Sequence, residues 1–185
     1  GRRTREVLRE PLETGRVTIA RAAATLTYPA SFQLVATMNP CPCGYAGDPG
    51  SVCQCSAEQV RQYRARLSGP LLDRIDLQTE VPREKDWLRA PAATRGESSA
   101  TVRERVATAQ STQLARQGKL NARLDVAELN RHAPLADAER EFLAQAFDHF
   151  RLTARSYHRV IKIARTIADL VGRPAIERSD LAEAL

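Results

Sequence analysis

The hydrophobic pattern changes character once along this chain of 185 residues, and that change restricts the folds open to it. Up to residue 82 the apolar residues fall in short β-branched or aromatic runs bounded by Gly and Pro; from residue 98 they recur at helical spacing. This is α/β sequence followed by all-α sequence. Residues 83–97 hold two Pro-flanked polar stretches without a sustained period and read as a linker between 1–82 and 98–185.

In the first part, residues 2–13 read as the end of a helix closed by Gly15. Residues 16–20 and 24–28 are rich in β-branched and aromatic side chains and stand close enough to pair as a hairpin, which Pro29 ends. The nearly continuous apolar run 32–38 suits a strand of a parallel sheet buried on both faces, ending at Asn39-Pro40. After a Cys/Gly/Pro loop, Ser56 and Gln59 have the spacing of a capping box that opens a helix to about Leu67. Residues 68–70, Ser-Gly-Pro, break it. Residues 71–81 then return to the sheet, and Pro82 stops that strand.

The second part predicts a run of helices. Thr101 and Glu104 form a capping-box pattern, leading to about Gln117 with Gly118 as terminator. A short helix is expected from Asp125 to His132 and a longer one from Asp137 to Phe150. A third begins at Thr153, where Val160, Ala164, Ile167 and Val171 keep helical spacing, and stops at residues 172–174. Ser179 caps a last helix. No repeat or low-complexity tract interrupts this order.

Composition agrees with a folded, water-soluble chain, with 43% hydrophobic and 27% charged residues. No apolar run approaches the roughly 20 residues of a membrane span, and the N-terminus lacks the apolar stretch of a signal peptide, so a cytoplasmic location is expected. The chain begins without Met, directly in helix-like sequence, and so reads as a fragment of something longer. The net charge of +6 and pI near 9.5 permit nucleic-acid or nucleotide binding without requiring it. All but Lys85, Lys119 and Lys162 of the 28 basic residues are arginines, spread along the chain without a basic arm, so each must be weighed by its own position.

All four cysteines lie within fifteen positions, as Cys41-Pro-Cys43 and Cys53-Gln-Cys55. Two close pairs on a Gly/Pro-rich loop can fold back into the tetrahedral four-sulfur set that structural zinc requires. The C-x-C spacing is tighter than the usual C-x2-C; free thiols and an iron-sulfur cluster are the alternatives. A site closed by four thiolates holds a loop in shape and does no catalysis.

Three further residues stand out. Asn39, at the end of a buried-strand pattern, could position a water or phosphate through its amide, or could cap the turn before Pro40. Arg74, flanked by Asp73 and Asp76, could reach a phosphate on another subunit, or could form a local ion pair. Arg155 lies in the first turn after Thr153, where a cation opposes the helix dipole; the helix N-terminus and the arginine together could grip a phosphate. His132, His149 and His158 have neither metal spacing nor a nucleophile partner. There is no G-x-x-x-x-G-K-[ST] loop, and no apolar run ends in Asp-Glu.

Residues 15–22 (GRVTIARA), 28–30 (YPA), 35–44 (VATMNPCPCG), 68–76 (SGPLLDRID) and 155–170 (RSYHRVIKIARTIADL) together resemble one family. It is the magnesium-chelatase-like AAA+ ATPases of bacteria, of the competence-associated ComM/YifB type, related to the chelatase I subunit and more distantly to MCM helicases. The resemblance runs over essentially the whole chain in the family's order.

The resemblance implies the C-terminal part of an AAA+ αβα core, a parallel sheet with a β-hairpin insertion, over 1–82. A helical lid of the magnesium-chelatase-like C-terminal type follows over 98–185. It implies that Asn39 is the sensor 1 residue, Arg74 an arginine finger acting on the neighbouring subunit's nucleotide, and Arg155 the sensor 2 arginine of the lid. ATP with Mg2+ as cofactor, a hexameric homo-oligomeric ring and DNA as partner are implied for the full-length protein, with helicase or branch-migration activity in recombination or natural transformation. The Walker A and B segments would precede Gly1, so the fragment alone is expected to be inactive. A zinc-stabilised DNA- or protein-binding module without ATPase activity, or a chelatase-type remodelling ATPase, is the alternative. The cysteine cluster falls outside the general AAA+ pattern.

Overall fold

A computed structural model describes residues 6–22, 24–82 and 96–185. It divides into two compact units, Gly1–Leu88 and Arg89–Leu185, each taken by itself below. Most of the expected linker, residues 83–95, lies outside the described residues.

The first unit opens with helix α1 (Arg9–Thr14), which Gly15 ends at φ +67° while its N–H donates to the Pro11 carbonyl. The chain passes straight into an antiparallel hairpin, β1 (Arg16–Arg21) with β2 (Ala24–Pro29), in a register that sets Arg16 opposite Pro29 and Arg21 opposite Ala24. The Thr18 and Thr27 hydroxyls meet across it at 3.3 Å. Both faces are largely open to solvent: Ile19, Leu26 and Tyr28 are all about half exposed.

The two other expected strands are not formed. Residues 32–38 carry no regular secondary structure and pair with no strand, and Val35 is 81% exposed; the hairpin is the only sheet among the described residues. An apolar run of strand length becomes a strand only when a neighbour pairs with its backbone. Residues 71–81 fail for a local reason. Ser68 accepts the Leu71 N–H and Pro70 sits in the first turn, a strong helix start, so Leu71 is drawn into a short helix α3 (Gly69–Leu72). The chain beyond it is irregular, with Leu77 and Val81 exposed. The expected parallel sheet is therefore absent among the described residues. Helix α2 (Ala57–Arg64) carries the full Ser56/Gln59 capping box and unwinds through single turns to Leu67.

The second unit is helical throughout: α4 (Ser99–Gln117), a 3-10 turn (Asn121–Arg123), α5 (Val126–His132), α6 (Asp137–Phe150), α7 (Ala154–Leu170) and α8 (Arg178–Ala184). Asp125 and Glu128 form the capping box of α5, and the Thr153 hydroxyl accepts the Ser156 N–H at the start of α7. Two caps differ from expectation. Ser98 rather than Thr101 starts α4, because its hydroxyl reaches the Thr101 N–H; Glu177 rather than Ser179 starts α8, in a reciprocal bond with Asp180. The most amphipathic helix, α7, is central: Val160, Ile161 and Ala164 pack with Leu124, Leu129, Leu143, Ile176 and Leu181 into one core.

Candidate functional site

The loop between β2 and α2 gathers all four cysteines. The sulfurs of Cys41 and Cys43 lie 3.3 Å apart, Cys41 and Cys53 3.7 Å, and Cys43 and Cys53 3.6 Å, with Cys55 inside the same 4.8 Å cluster. No pair is bonded as a disulfide, which would need about 2.05 Å. Sulfurs at the corners of a tetrahedron around zinc, each about 2.3 Å from the metal, stand about 3.8 Å from one another. The observed spacing fits that set.

Turns make the convergence possible. Gly44 and Gly47, at φ +85° and +83°, bend the chain back after Cys43, and the Ala46 N–H donates to the Cys41 sulfur at 3.3 Å. Backbone N–H groups of Tyr45 and Gln54, with the neighbouring Cys41, hold the Cys43 thiol down to about 6. The Cys43 N–H alone would favour a Cys55 thiolate as well, but burial and the nearby Cys43 and Cys41 sulfurs outweigh it and push that thiol up to about 12. Four thiolates so close repel one another, and a dication relieves that repulsion.

Asn39 lies in the same loop, two residues before Cys41, exposed, with its amide nitrogen against the Gly44 turn. Arg74 follows α3 and is mostly buried, its side chain 12% exposed. Its Nε donates to Glu13 Oε2 at 3.1 Å, Nη2 donates to the same oxygen, and Nη1 donates to the Pro70 carbonyl at 2.6 Å. Its ion-pair partner is thus Glu13, sixty-one positions away, rather than the flanking Asp73 or Asp76. Arg155 lies in the second unit, exposed on the first turn of α7, two residues beyond the Thr153 cap.

That unit also contains a buried polar network. Asp169 receives Arg116 Nη1 on Oδ1 at 2.7 Å and Nη2 on Oδ2 at 2.9 Å, Arg165 Nε on Oδ1 at 3.1 Å, and the Asn121 amide on Oδ2 at 2.8 Å. Arg165 also donates to the carbonyls of Arg173 and Pro174 beyond the end of α7.

Residues 1–87 match the family model described as magnesium chelatase, subunit ChlI, and residues 96–185 match its C-terminal counterpart. The chain belongs to the magnesium-chelatase-like family. Over 184 residues the chelatase-like chain is 45% identical to the competence protein ComM of Haemophilus influenzae and 44% identical to the uncharacterized protein YifB of Salmonella typhimurium, with all of this chain covered in both. It is 40% identical over 186 residues to the uncharacterized protein Mb2921c of Mycobacterium bovis, with 97% of this chain covered. It spans 36% of the length of each of these relatives.

In the chelatase-like chain the four cysteines come together as the spacing suggested, while Asn39 and Arg74 fall in the first unit and Arg155 in the second. The Asp169 network was not foreseen from sequence. Its signal was present: Arg165 and Asp169 lie four apart on the face of α7 that also carries Ala164 and Ala168, where charge is expected only when paired.

Proposed function

We propose that this chain is the rear of an AAA+ ATPase core, residues 1–82, joined by the linker 83–97 to its helical lid, residues 98–185. The protein binds and hydrolyses ATP with Mg2+ as a cytoplasmic hexameric ring acting on DNA. What carries the reading is the 45% identity to a competence protein along the whole chain. In this reading Asn39 orients the attacking water, Arg74 reaches the phosphate held by the adjacent subunit, and Arg155 reads the nucleotide of its own subunit. The mostly buried, braced guanidinium of Arg74 suits a group that must meet a phosphate in one pose, since positioning and charge stabilisation dominate phosphoryl transfer. DNA unwinding or branch migration is the work coupled to hydrolysis. In a protein of the relatives' full length, Arg74→Ala should cut ATP hydrolysis to a small residual rate while nucleotide binding persists; normal turnover would remove the finger assignment.

The cysteine set binds structural Zn2+, which fixes the loop joining Asn39 to α2. A second reading, a zinc-stabilised module that grips DNA or a partner without hydrolysis, draws on a cleft of about 410 Å³ beside Cys43 and Cys55, lined also by Tyr63 and Arg66. There the Arg66 guanidinium stacks 5.3 Å from the Tyr63 ring centre. ATP turnover in the long protein decides between the two.

A further inference from the structure

Glu13 occupies a poor place for a carboxylate. It is the penultimate residue of α1, at the negative end of the helix dipole, and no basic residue shares that last turn. Arg74, brought from sixty-one residues away, sets a positive charge directly on Glu13 Oε2.

The geometry of that contact is selective. A guanidinium has five N–H donors: one on Nε and two on each Nη. Glu13 takes the Nε/Nη2 edge and the Pro70 carbonyl takes one Nη1 proton. Glu13 and Pro70 thus use three of the five donors, leaving one N–H on Nη1 and one on Nη2 that can meet phosphate oxygens.

We infer that Glu13 is a positioning residue for Arg74, clamping one edge of the guanidinium so that its remaining N–H donors are held ready for the phosphate of a nucleotide bound elsewhere. The inference rests on the reading of Arg74 as a phosphate-contacting group. An unclamped arginine would lose side-chain freedom at the moment of reaction; one held by Glu13 and Pro70 has lost it on folding. The clamp therefore acts on kcat and leaves the KM for ATP alone.

The test is steady-state ATP hydrolysis by the protein at its relatives' length. Glu13→Gln keeps an oxygen at the same reach but replaces a charge-assisted bond with a neutral one, and should lower kcat about fivefold; Glu13→Ala should lower it further, with KM within about twofold in both. In an Arg74→Ala background, Glu13→Gln should leave the residual single-turnover rate unchanged. Gln is isosteric with Glu, so Glu13→Gln decides the matter even where Glu13→Ala fails to fold. An unchanged or raised kcat in Glu13→Gln overturns the clamp. So does a rise in KM matching the fall in kcat, or an equal loss in the Arg74→Ala background. Full turnover by Arg74→Ala alone fails the finger reading itself, and the clamp falls with it.

Discussion

Arg116 and Asp169 face each other fork to fork, Nη1 2.7 Å from Oδ1 and Nη2 2.9 Å from Oδ2, joining the end of α4 to the end of α7 across fifty-three residues of chain. The Asp169 carboxylate is fully buried and also receives Arg165, whose side chain is almost as deeply enclosed. Such a site tolerates no partial dismantling, because each lost partner leaves another charge stranded.

Asp169→Ala should therefore destabilise the helical unit by about 3–5 kcal/mol, read from the urea midpoint at neutral pH. The same carboxylate makes stability pH-dependent. Burial alone would push its pKa up, but the bonds from Arg116 and Asn121 and the charge of Arg165 outweigh burial and hold it below the usual carboxylate range. Its contribution is complete above the unfolded value of about 3.9 and is lost as pH falls through the lower folded value. Urea midpoints taken downward from pH 7 should fall for the parent at the acid end, and less steeply for Asp169→Ala.

The cysteine cluster should carry one zinc ion per chain in native mass spectra recorded under reducing conditions, and Cys43→Ser should lose it. A metal-free parent mass after growth with added zinc would count against the site. Chelation of the parent should mimic the substitution in the first unit and leave the Asp169 network untouched, since none of that network's groups is a metal ligand.

Arg151 ends α6 in the left-handed region, φ +51° and ψ +47°, the only non-glycine residue with positive φ among those described. It is exposed. Arg151→Gly should raise stability by about 0.5–1 kcal/mol, visible as a small increase in the thermal midpoint, because glycine adopts this conformation without a Cβ penalty.

Gly118 supplies the converse case. It ends α4 at φ +73°, and a Cβ there would meet nothing within 4 Å. The cost of Gly118→Ala, about 1 kcal/mol by denaturant titration, should thus come from the backbone alone.

Features set by near neighbours were legible in the sequence. Gly15, Gly118 and the capping residues Ser56 and Thr153 each act within a single turn, and each sits where the pattern placed it. The hairpin needs only its own two strands. Features that depend on distant chain were not legible, and they failed in two ways. Residues 32–38 have a strand's composition but no backbone to pair with among the described residues. Arg74 and Asp169 have charged neighbours in sequence, yet their principal partners come from sixty-one and fifty-three residues away. The cysteines bridge the two cases: their separation is modest, and a loop this short can bring all four sulfurs together.

The first unit buries few side chains completely: Pro11, Cys41 and Leu71 among the described residues. With so little apolar interior, its hold on shape passes to the sulfur cluster and to the Glu13–Arg74 tie. Under the zinc reading, part of that hold is a mass-action quantity. Above the dissociation constant, each tenfold rise in free metal adds about 1.4 kcal/mol to the folded form. The loop joining Asn39 to α2 would then be as firm as the metal supply around it, and starving it of zinc would loosen it with no change to any residue.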